Sequence, residues 1–593
     1  MKNKVIVLFL SMLISSIATL FALTPYGEAF ERAAGLPLLF KIRGPAQAPE
    51  NIVIVAIDSR TGKELNLPSM PRDWPRSIHA ELVRNLSDSG AKVIAFDIHF
   101  GREKEHSSDM ELVSAVKEAN NIVLVELLTG KRQPITDAQG KNVGMMWIEE
   151  VVPPFKALAD EASAIATFPL PKQNAAVDQF WVFKESSDNS PTLPAVVFQM
   201  LIDMKYPDLT NQLLSLGQTD VEIHSFDNTQ TNKPSNLSKL MGLVREISVN
   251  PDNKDKIEHL KNQASSKAQV AAIDMYTGSP NRFINFYGPP GTISTVPYHS
   301  VLKGYDPNIQ TDSFNFANKI VFIGYSDLYD PGQPDRFYTV FTQDDGVDLS
   351  GVEIAATAFG NLVTNTSLQY LDTIITALFL LTFGLIIGLL LILFPAIVSV
   401  PIAIICSLIY LFLVQYQFNY NYTVYSLAIP LYLQAPLIIF IGLASQYILE
   451  RKKGQRVIEA INYYLPEHIA RDLAQNKLDE DKLNQVVYSV CMATDMAGFS
   501  KISEELPPDK LAIFLNSYFE SLAAPLHKHG VNVTEFRADA IMCAWTSDTL
   551  SEEIRRKAIL ASIDAAIAIN EFQKEHSILK AKLRIGLEVG HVY

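Results

Sequence analysis

The sequence predicts a multi-domain membrane protein: an α/β domain outside the membrane, four transmembrane helices, and an α+β, ferredoxin-like domain at the C-terminal end. Three observations carry this reading. Four apolar runs, 5–23, 374–394, 396–414 and 424–443, contain no Asp, Glu, Lys or Arg, and each approaches the ~20 residues a helix needs to cross a hydrocarbon core. The long stretch between the first and second runs alternates β-rich with helix-periodic segments, the signature of a parallel sheet. The last hundred or so residues run strand, helix, strand, strand, helix, strand, which suits a mostly antiparallel sheet.

Bulk composition bounds the function. A chain of 593 residues exceeds a single core. Its formal net charge of -14 argues against nucleic-acid binding, because a phosphate-reading surface needs a basic stripe. Nucleotide substrates stay allowed, since metal ions can neutralise their phosphates locally. Only Cys406, Cys491 and Cys543 occur, none between 25 and 373, so that region has neither a disulfide framework nor a thiolate zinc site.

Taken in order, residues 1–24 form an N-terminal anchor. A cleaved signal peptide would have a shorter apolar region and a small-residue cleavage site, and neither is evident around "FALTPYGEAF". Lys2 and Lys4 before the first run, and "LERKKGQR" after the last, place both ends on the cytoplasmic side by the positive-inside rule. Residues 25–373 then lie outside the membrane, in the periplasm if the cell has an outer membrane. The absence of charge in the spans disfavours a transporter.

Within 25–373, "NIVIVAID" and "AKVIAFDIHF" are strand-like runs flanking "RSIHAELVRNLSDSG", which has helical spacing, so they make a βαβ unit. "RFINFYGPPG" and "KIVFIGYSD" are expected to continue that sheet, and "HSFDNTQTNKPSNLSK" to be a polar loop or insertion. Asp58 and Asp97, at strand ends, either contact a ligand at the carboxyl edge of a parallel sheet or merely cap turns. The motifs "NIVIVAIDSRT", "WPRSIHAELVRNLSDSGAKVIAFDIHF", "INFYGPPGTISTVPYHSVLKG", "VFIGYSD" and "LSGVEIAATAFGNLVTN" resemble the CHASE type-2 family of extracytoplasmic sensor domains, over roughly 30–370. That resemblance implies a sensor for an unknown extracytoplasmic ligand, followed by three membrane helices and a cytoplasmic output.

Residues 446–480 are expected to form a helical linker. Val457, Ile458, Ile461, Tyr464 and Leu465 make a narrow apolar stripe that suits a parallel coiled coil in a homodimer, or a helix lying on its own output domain. Pro466 ends the stripe, and a shift of paired helices would carry a signal inward.

The output domain, 485–593, reads as strand 485–493, helix 507–529, strands 532–536 and 540–545, helix 552–576 and strand 581–589. Asp495 closes the first strand and Asp539 sits in the turn of "FRADAIM", so both carboxylates can meet at one sheet edge. Two hard carboxylates beside the glycine-containing turn at Gly498, Phe499 and Ser500 suit a magnesium triphosphate. Cys491 and Cys543 read as small core residues, and His527 and His529 as caps on carbonyls at a helix end.

"TDMAGFSKISEELPPDKLAIFLNSYFESLAAPLHKHGVNVTEFRADAIMCAW" and "LRIGLEVGHVY" are similar to the class III adenylate and guanylate cyclase family. The resemblance implies that Asp495 and Asp539 hold two Mg²⁺ (or Mn²⁺) with the Met496 carbonyl, and that Gly498, Phe499 and Ser500 bind phosphate. It also implies in-line attack of the ribose 3′-hydroxyl on the α-phosphate, in sites formed between two protomers of a homodimer. Three departures stand out. Ala538 replaces the usual Gly before the second Asp. Glu535 occupies the base-reading position, where adenylate cyclases carry Lys and guanylate cyclases Glu. The chain stops at Tyr593, before the second base-reading residue and the Asn and Arg of the family's site. The expected activity is therefore an inner-membrane sensor cyclase making cyclic AMP from ATP. GTP is the alternative substrate, and a degenerate regulatory domain the alternative role.

Overall fold

The protein is described by a computed structural model over residues 2–68, 71–136, 142–171, 176–187, 189–217, 234–302, 316–330, 332–333, 335–342, 346–462, 486–549, 551–575 and 582–592. The chain divides into two units, Met1–Gly442 and Leu443–Tyr593.

The first unit is built on a seven-stranded sheet. Its strands are β1 (Ile52–Ile57), β2 (Val93–Phe96), β3 (Ile122–Thr136), β4 (Asn142–Val152), β5 (Ala164–Thr167), β6 (Thr295–Pro297) and β7 (Ile320–Tyr325). Their order is β6-β1-β7-β2-β3-β4, with β5 also on β3, and every pairing is parallel except β3 with β4. All six residues of β1 are buried, as a parallel strand covered on both faces requires. Side chains alternate across a strand, so Ile52, Ile54 and Ala56 join one core while Val53, Val55 and Ile57 join the other. Helices Leu193–Lys205 and Gly351–Thr364 cover the first face, and Arg76–Asp88 and His106–Ala119 the second.

The expected βαβ unit is present, but β7 inserts between β1 and β2. "RFINFYGPPG" does not continue this sheet. Asn281–Phe283 pairs instead with Gln179–Trp181, and the following prolines lack the N–H groups a central strand would donate. Residues 224–233 of the expected polar loop lie outside the described residues, and from Pro234 onward the chain is the helix Pro234–Val249, with proline in the first turn where its missing donor costs nothing.

Among the described residues, three helices are long and apolar enough to cross a membrane, or four if the pair Ile6–Ala22 and Pro25–Arg43, bent by 83°, counts as one span. The break follows Thr24, whose hydroxyl caps the next helix by accepting from the Gly27 N–H at 3.1 Å. The helix Ala396–Asn421 extends past the expected 414 and ends at Tyr422 in the left-handed region. Thr423–Val424 then pairs with Gln369–Tyr370, so the last apolar segment starts at Ile429 rather than 424. A Cβ on Gly384 would meet Ser15 Oγ at 1.9 Å and one on Gly388 would meet Ser11 Cβ at 2.5 Å. Small residues one turn apart thus let Lys2–Ala22 lie against Thr373–Leu393, and Gln434 Nε2 donates to Ser15 Oγ at 3.1 Å and to the Leu380 carbonyl at 2.7 Å. The spans therefore carry more polar groups than their lack of charge suggested.

At the start of the span Ile429–Lys453, the buried Glu31 carboxylate accepts from the N–H groups of Leu427 (2.9 Å), Ala428 (2.9 Å) and Ile429 (2.7 Å). A carboxylate on the free donors at the start of a helix is favourable. Arg32 Nε donates to Asp178 Oδ2 at 2.7 Å, which ties the same turn to the sheet domain.

The second unit holds β8 (Val487–Ala497), β9 (Val533–Arg537), β10 (Ala540–Ser547) and β11 (Lys582–Val592), in the antiparallel order β9-β10-β8-β11. Helices Phe499–Glu505, Pro508–Lys528 and Glu552–Glu575 complete it, each within a few residues of the expected bounds where one was expected. Tyr488, Val490, Met492 and Met496 pack with Tyr518, Leu522 and Ala561. The alternate β8 positions, Cys491, Ala493 and Asp495, are not buried and form the other face of the sheet. The linker positions Tyr464, Leu465 and Pro466 lie outside the described residues, as do the side chains of Val457, Ile458 and Ile461.

Candidate functional site

The strand registers of the second unit bring its acids together. Ala493 pairs with Met542, so Asp495 comes level with Ala540, the residue after Asp539. Thr494 pins this end: its hydroxyl donates to the Ile541 carbonyl at 3.3 Å and accepts the Ile541 N–H at 2.9 Å. Arg537 pairs with Ala540, leaving Ala538 and Asp539 as the hairpin turn. Ala538 stands there with φ 52°, in the left-handed region. Ala in place of the usual Gly therefore costs about 1 kcal/mol of backbone strain at this turn.

Asp495 is exposed and Asp539 half-buried. Beneath them, the Tyr518 hydroxyl is buried with no hydrogen-bond partner among the described residues. Its pKa is pushed up by burial first, then by the charges of Asp539 and Asp495. Tyr518 thus lies within the field of both carboxylates. From β11, Arg584 lies directly across from Asp495 and its Nη1 donates to Asp495 Oδ2 at 3.3 Å. Sequence reasoning missed Thr494, Tyr518 and Arg584. Alternation along β8 and β11 could have flagged Arg584, but nothing local announces Tyr518.

Gly498 adopts φ 88° and opens the helix Phe499–Glu505, whose first N–H groups have no intrahelical acceptor. Met496 has a buried side chain, so only its carbonyl can face a ligand. Among the described residues, no group of three or more His, Cys, Asp or Glu side chains gathers to hold a metal. Two carboxylates and a backbone carbonyl are nonetheless hard oxygen donors, a set that fits a divalent ion keeping much of its water.

Glu535 sits apart from this end. It is exposed, accepts from Arg537 Nε at 2.9 Å, and lines a cavity of about 440 Å³ on the uncovered sheet face with Cys491, Ala493 and Met542. Cys491 is thus not a core residue, because its β8 position alternates to the open side. Cys543 is buried, and burial next to Cys491 pushes its thiol up to about 12. His529 is the C-cap of Pro508–Lys528, and it caps through its backbone N–H, which donates to the Pro525 carbonyl at 3.2 Å, rather than through its ring. Its ring lies 2.9 Å from Asp564 Oδ2, because an ion-pair partner is within reach across the helices. His527 is exposed.

In the first unit, Asp58 caps the helix Ser59–Glu64, its carboxylate accepting from the Thr61 N–H at 2.8 Å. Asp97 instead lines a cavity at the carboxyl ends of the parallel strands. The sequence left the two readings open for both residues, and the structure separates them.

Residues 8–393 match the family model of the CHASE2 domain. No curated protein matches the chain. Among solved structures, the chain is similar to the adenylyl cyclase CyaB from P. aeruginosa, at 21% identity over 18% of this chain and 58% of that one, with a TM-score of 0.17. It is similar to a bacterial light-regulated adenylyl cyclase at 26% identity, over 18% of this chain and 56% of that one, with a TM-score of 0.16. It is similar to the guanylyl cyclase Cya2 at 23% identity, over 18% and 56% of the two chains, with a TM-score of 0.17. The chain therefore spans less than two thirds of the length of each of these structures.

Proposed function

The chain belongs to the CHASE2 domain family, and on that premise we propose that it is a membrane-bound sensor whose C-terminal domain is a class III nucleotide cyclase, converting ATP to cyclic AMP and pyrophosphate. The observation that carries the proposal is the β8–β10 register, in which Asp495 comes level with the residue after Asp539. Asp495, Asp539 and the Met496 carbonyl would hold two Mg²⁺ or Mn²⁺ ions, whose charge lowers the pKa of a ribose 3′-hydroxyl and neutralises departing pyrophosphate. The first-turn N–H groups after Gly498, on Phe499 and Ser500, would donate to the triphosphate. Arg584, already across from Asp495, would balance the carboxylate until substrate arrives.

The uncovered sheet face supports a homodimer, because Met542 is 44% exposed there beside the unburied Ala493 and Cys491. Glu535 lies on this same face. A carboxylate accepts from the N1–H and amine of guanine, whereas adenine N1 needs a donor, so GTP is the alternative substrate. In this reading the sheet domain faces the extracytoplasmic side of the inner membrane, four spans cross it, and the cyclase domain is cytoplasmic.

The full-length protein in detergent, given Mg²⁺ or Mn²⁺ with ATP or GTP, tests the proposal. Cyclic AMP from ATP is expected, and Asp495→Ala should lower turnover by about 1,000-fold. Cyclic GMP from GTP alone would transfer the assignment to guanylate cyclase. A folded dimer that cyclises neither nucleotide would favour a regulatory module, the second reading, which the left-handed Ala538 supports.

A further inference from the structure

The first unit contains a cavity of about 440 Å³ at the carboxyl ends of β2, β3 and β7, beside the start of the helix Gly351–Thr364. This is where open parallel sheets receive ligands, and the size is that of a small-molecule site. Its walls carry both signs of charge. Asp97, Glu126 and Asp335 supply carboxylates, and Arg72 and Arg76 supply guanidinium groups.

Arg76 is the telling residue. It is 5% exposed, yet it makes no hydrogen bond among the described residues, and its Nε is both buried and unpartnered. The closest carboxylate, Asp109, stands 3.8 Å from that Nε, beyond hydrogen-bonding range. The guanidinium carbon lies 4.5 Å from the Phe100 ring centroid, within cation–π range. A buried guanidinium without hydrogen bonds is costly, and an anionic group entering the cavity would satisfy it bidentately. Across the cavity, the Asp97 carboxylate likewise accepts no hydrogen bond from the described residues, and burial with the neighbouring Asp335 pushes it up to about 8. Burial also raises Glu126. An incoming cation would relieve both.

We propose that this cavity binds a small zwitterion, an amino-acid-like molecule whose carboxylate pairs with Arg76 and whose ammonium pairs with Asp97 and Glu126. Phe168, Leu170 and Phe337 line the remaining wall and would take an apolar side chain. The assignment gives a chemical class to the signal in the sensor role proposed above. It is tested by binding rather than by cyclic-nucleotide output, so the two readings can fail separately.

The test is calorimetric titration of the full-length protein in detergent with each of the twenty L-amino acids singly, and with Ca²⁺ and Mg²⁺ alone. Saturable binding of at least one amino acid is expected. The corresponding amide, and the acid lacking its amine, should each bind at least tenfold more weakly. Arg76→Gln and Glu126→Gln should each weaken binding about tenfold or more. Glu126 is only partly buried, so its variant keeps the test open if Arg76→Gln fails to fold. Binding of no amino acid would overturn the proposal. So would binding of a divalent cation alone that survives Arg76→Gln, which would make the cavity a metal site.

Discussion

The two units handle charge in opposite ways. In the sheet domain, Arg76 and Asp97 line one cavity and neither side chain makes a hydrogen bond among the described residues. In the second unit, Asp495 is exposed at a sheet end and is answered by a side chain that is itself 73% exposed, Arg584. A buried charge such as that of Arg76 is already desolvated, so it is set to respond to a ligand's charge within one protomer. An exposed pair is screened by water and gains strength only when something covers it. That difference fits a sensor complete in itself and an output site finished by a partner and a substrate.

The sharpest way to break the comparison is at the acids of the second unit. Asp539→Asn should cost about 1,000-fold in the proposed cyclase turnover while moving the thermal midpoint little, because Asn keeps the size of Asp at this half-buried turn. A large stability loss with intact turnover would make Asp539 structural.

Next in size is Glu31→Ala. It would strand three buried N–H groups, those of Leu427, Ala428 and Ile429, at a cost of about 3 kcal/mol. Thermal unfolding of the detergent-solubilised protein should show a clear drop, and Glu31→Gln a smaller one.

The pH dependence sharpens the contrast further. Burial, and then the neighbouring Asp335, push the Asp97 carboxyl up to about 8, well above the usual carboxylate range. The native state therefore holds a proton that the unfolded chain has lost, and stability should fall as pH rises between about 4 and 8. The slope is at most about 1.4 kcal/mol per pH unit. Asp97→Asn should flatten that segment of the curve, and an unchanged slope would assign it to other groups. The smallest effect belongs to Ala538→Gly, which relieves a left-handed alanine and should stabilise the second unit by about 1 kcal/mol, read as a higher denaturant midpoint.

Much of this was legible in the sequence, for a local reason. Charge-free runs predict membrane helices, and all-apolar "IVIVAI" predicts a strand buried on both faces, because hydropathy and two-residue alternation act between near neighbours. The turn that carries Asp539 was legible for the same reason, since a short hairpin sets its own register, whereas its approach to Asp495 rests on the longer-range β8–β10 pairing. The family resemblance then supplied roles that spacing could not.

Tertiary structure decided what depends on long-range packing. It inserted β7 between β1 and β2, where Gly324 stands with Val352 and Asp97 so close that a Cβ would fall 2.7 Å and 3.3 Å from them. It joined Glu31 to Ile429, seated Ser11 and Ser15 on Gly388 and Gly384, and set Tyr518 beneath two carboxylates. It also turned Asp97 toward a cavity and left Asp58 as a cap. Both aspartates follow a β-strand and look alike in sequence. Which one faces an open space depends on the strands and helix ends that pack around it, and those come from segments far along the chain.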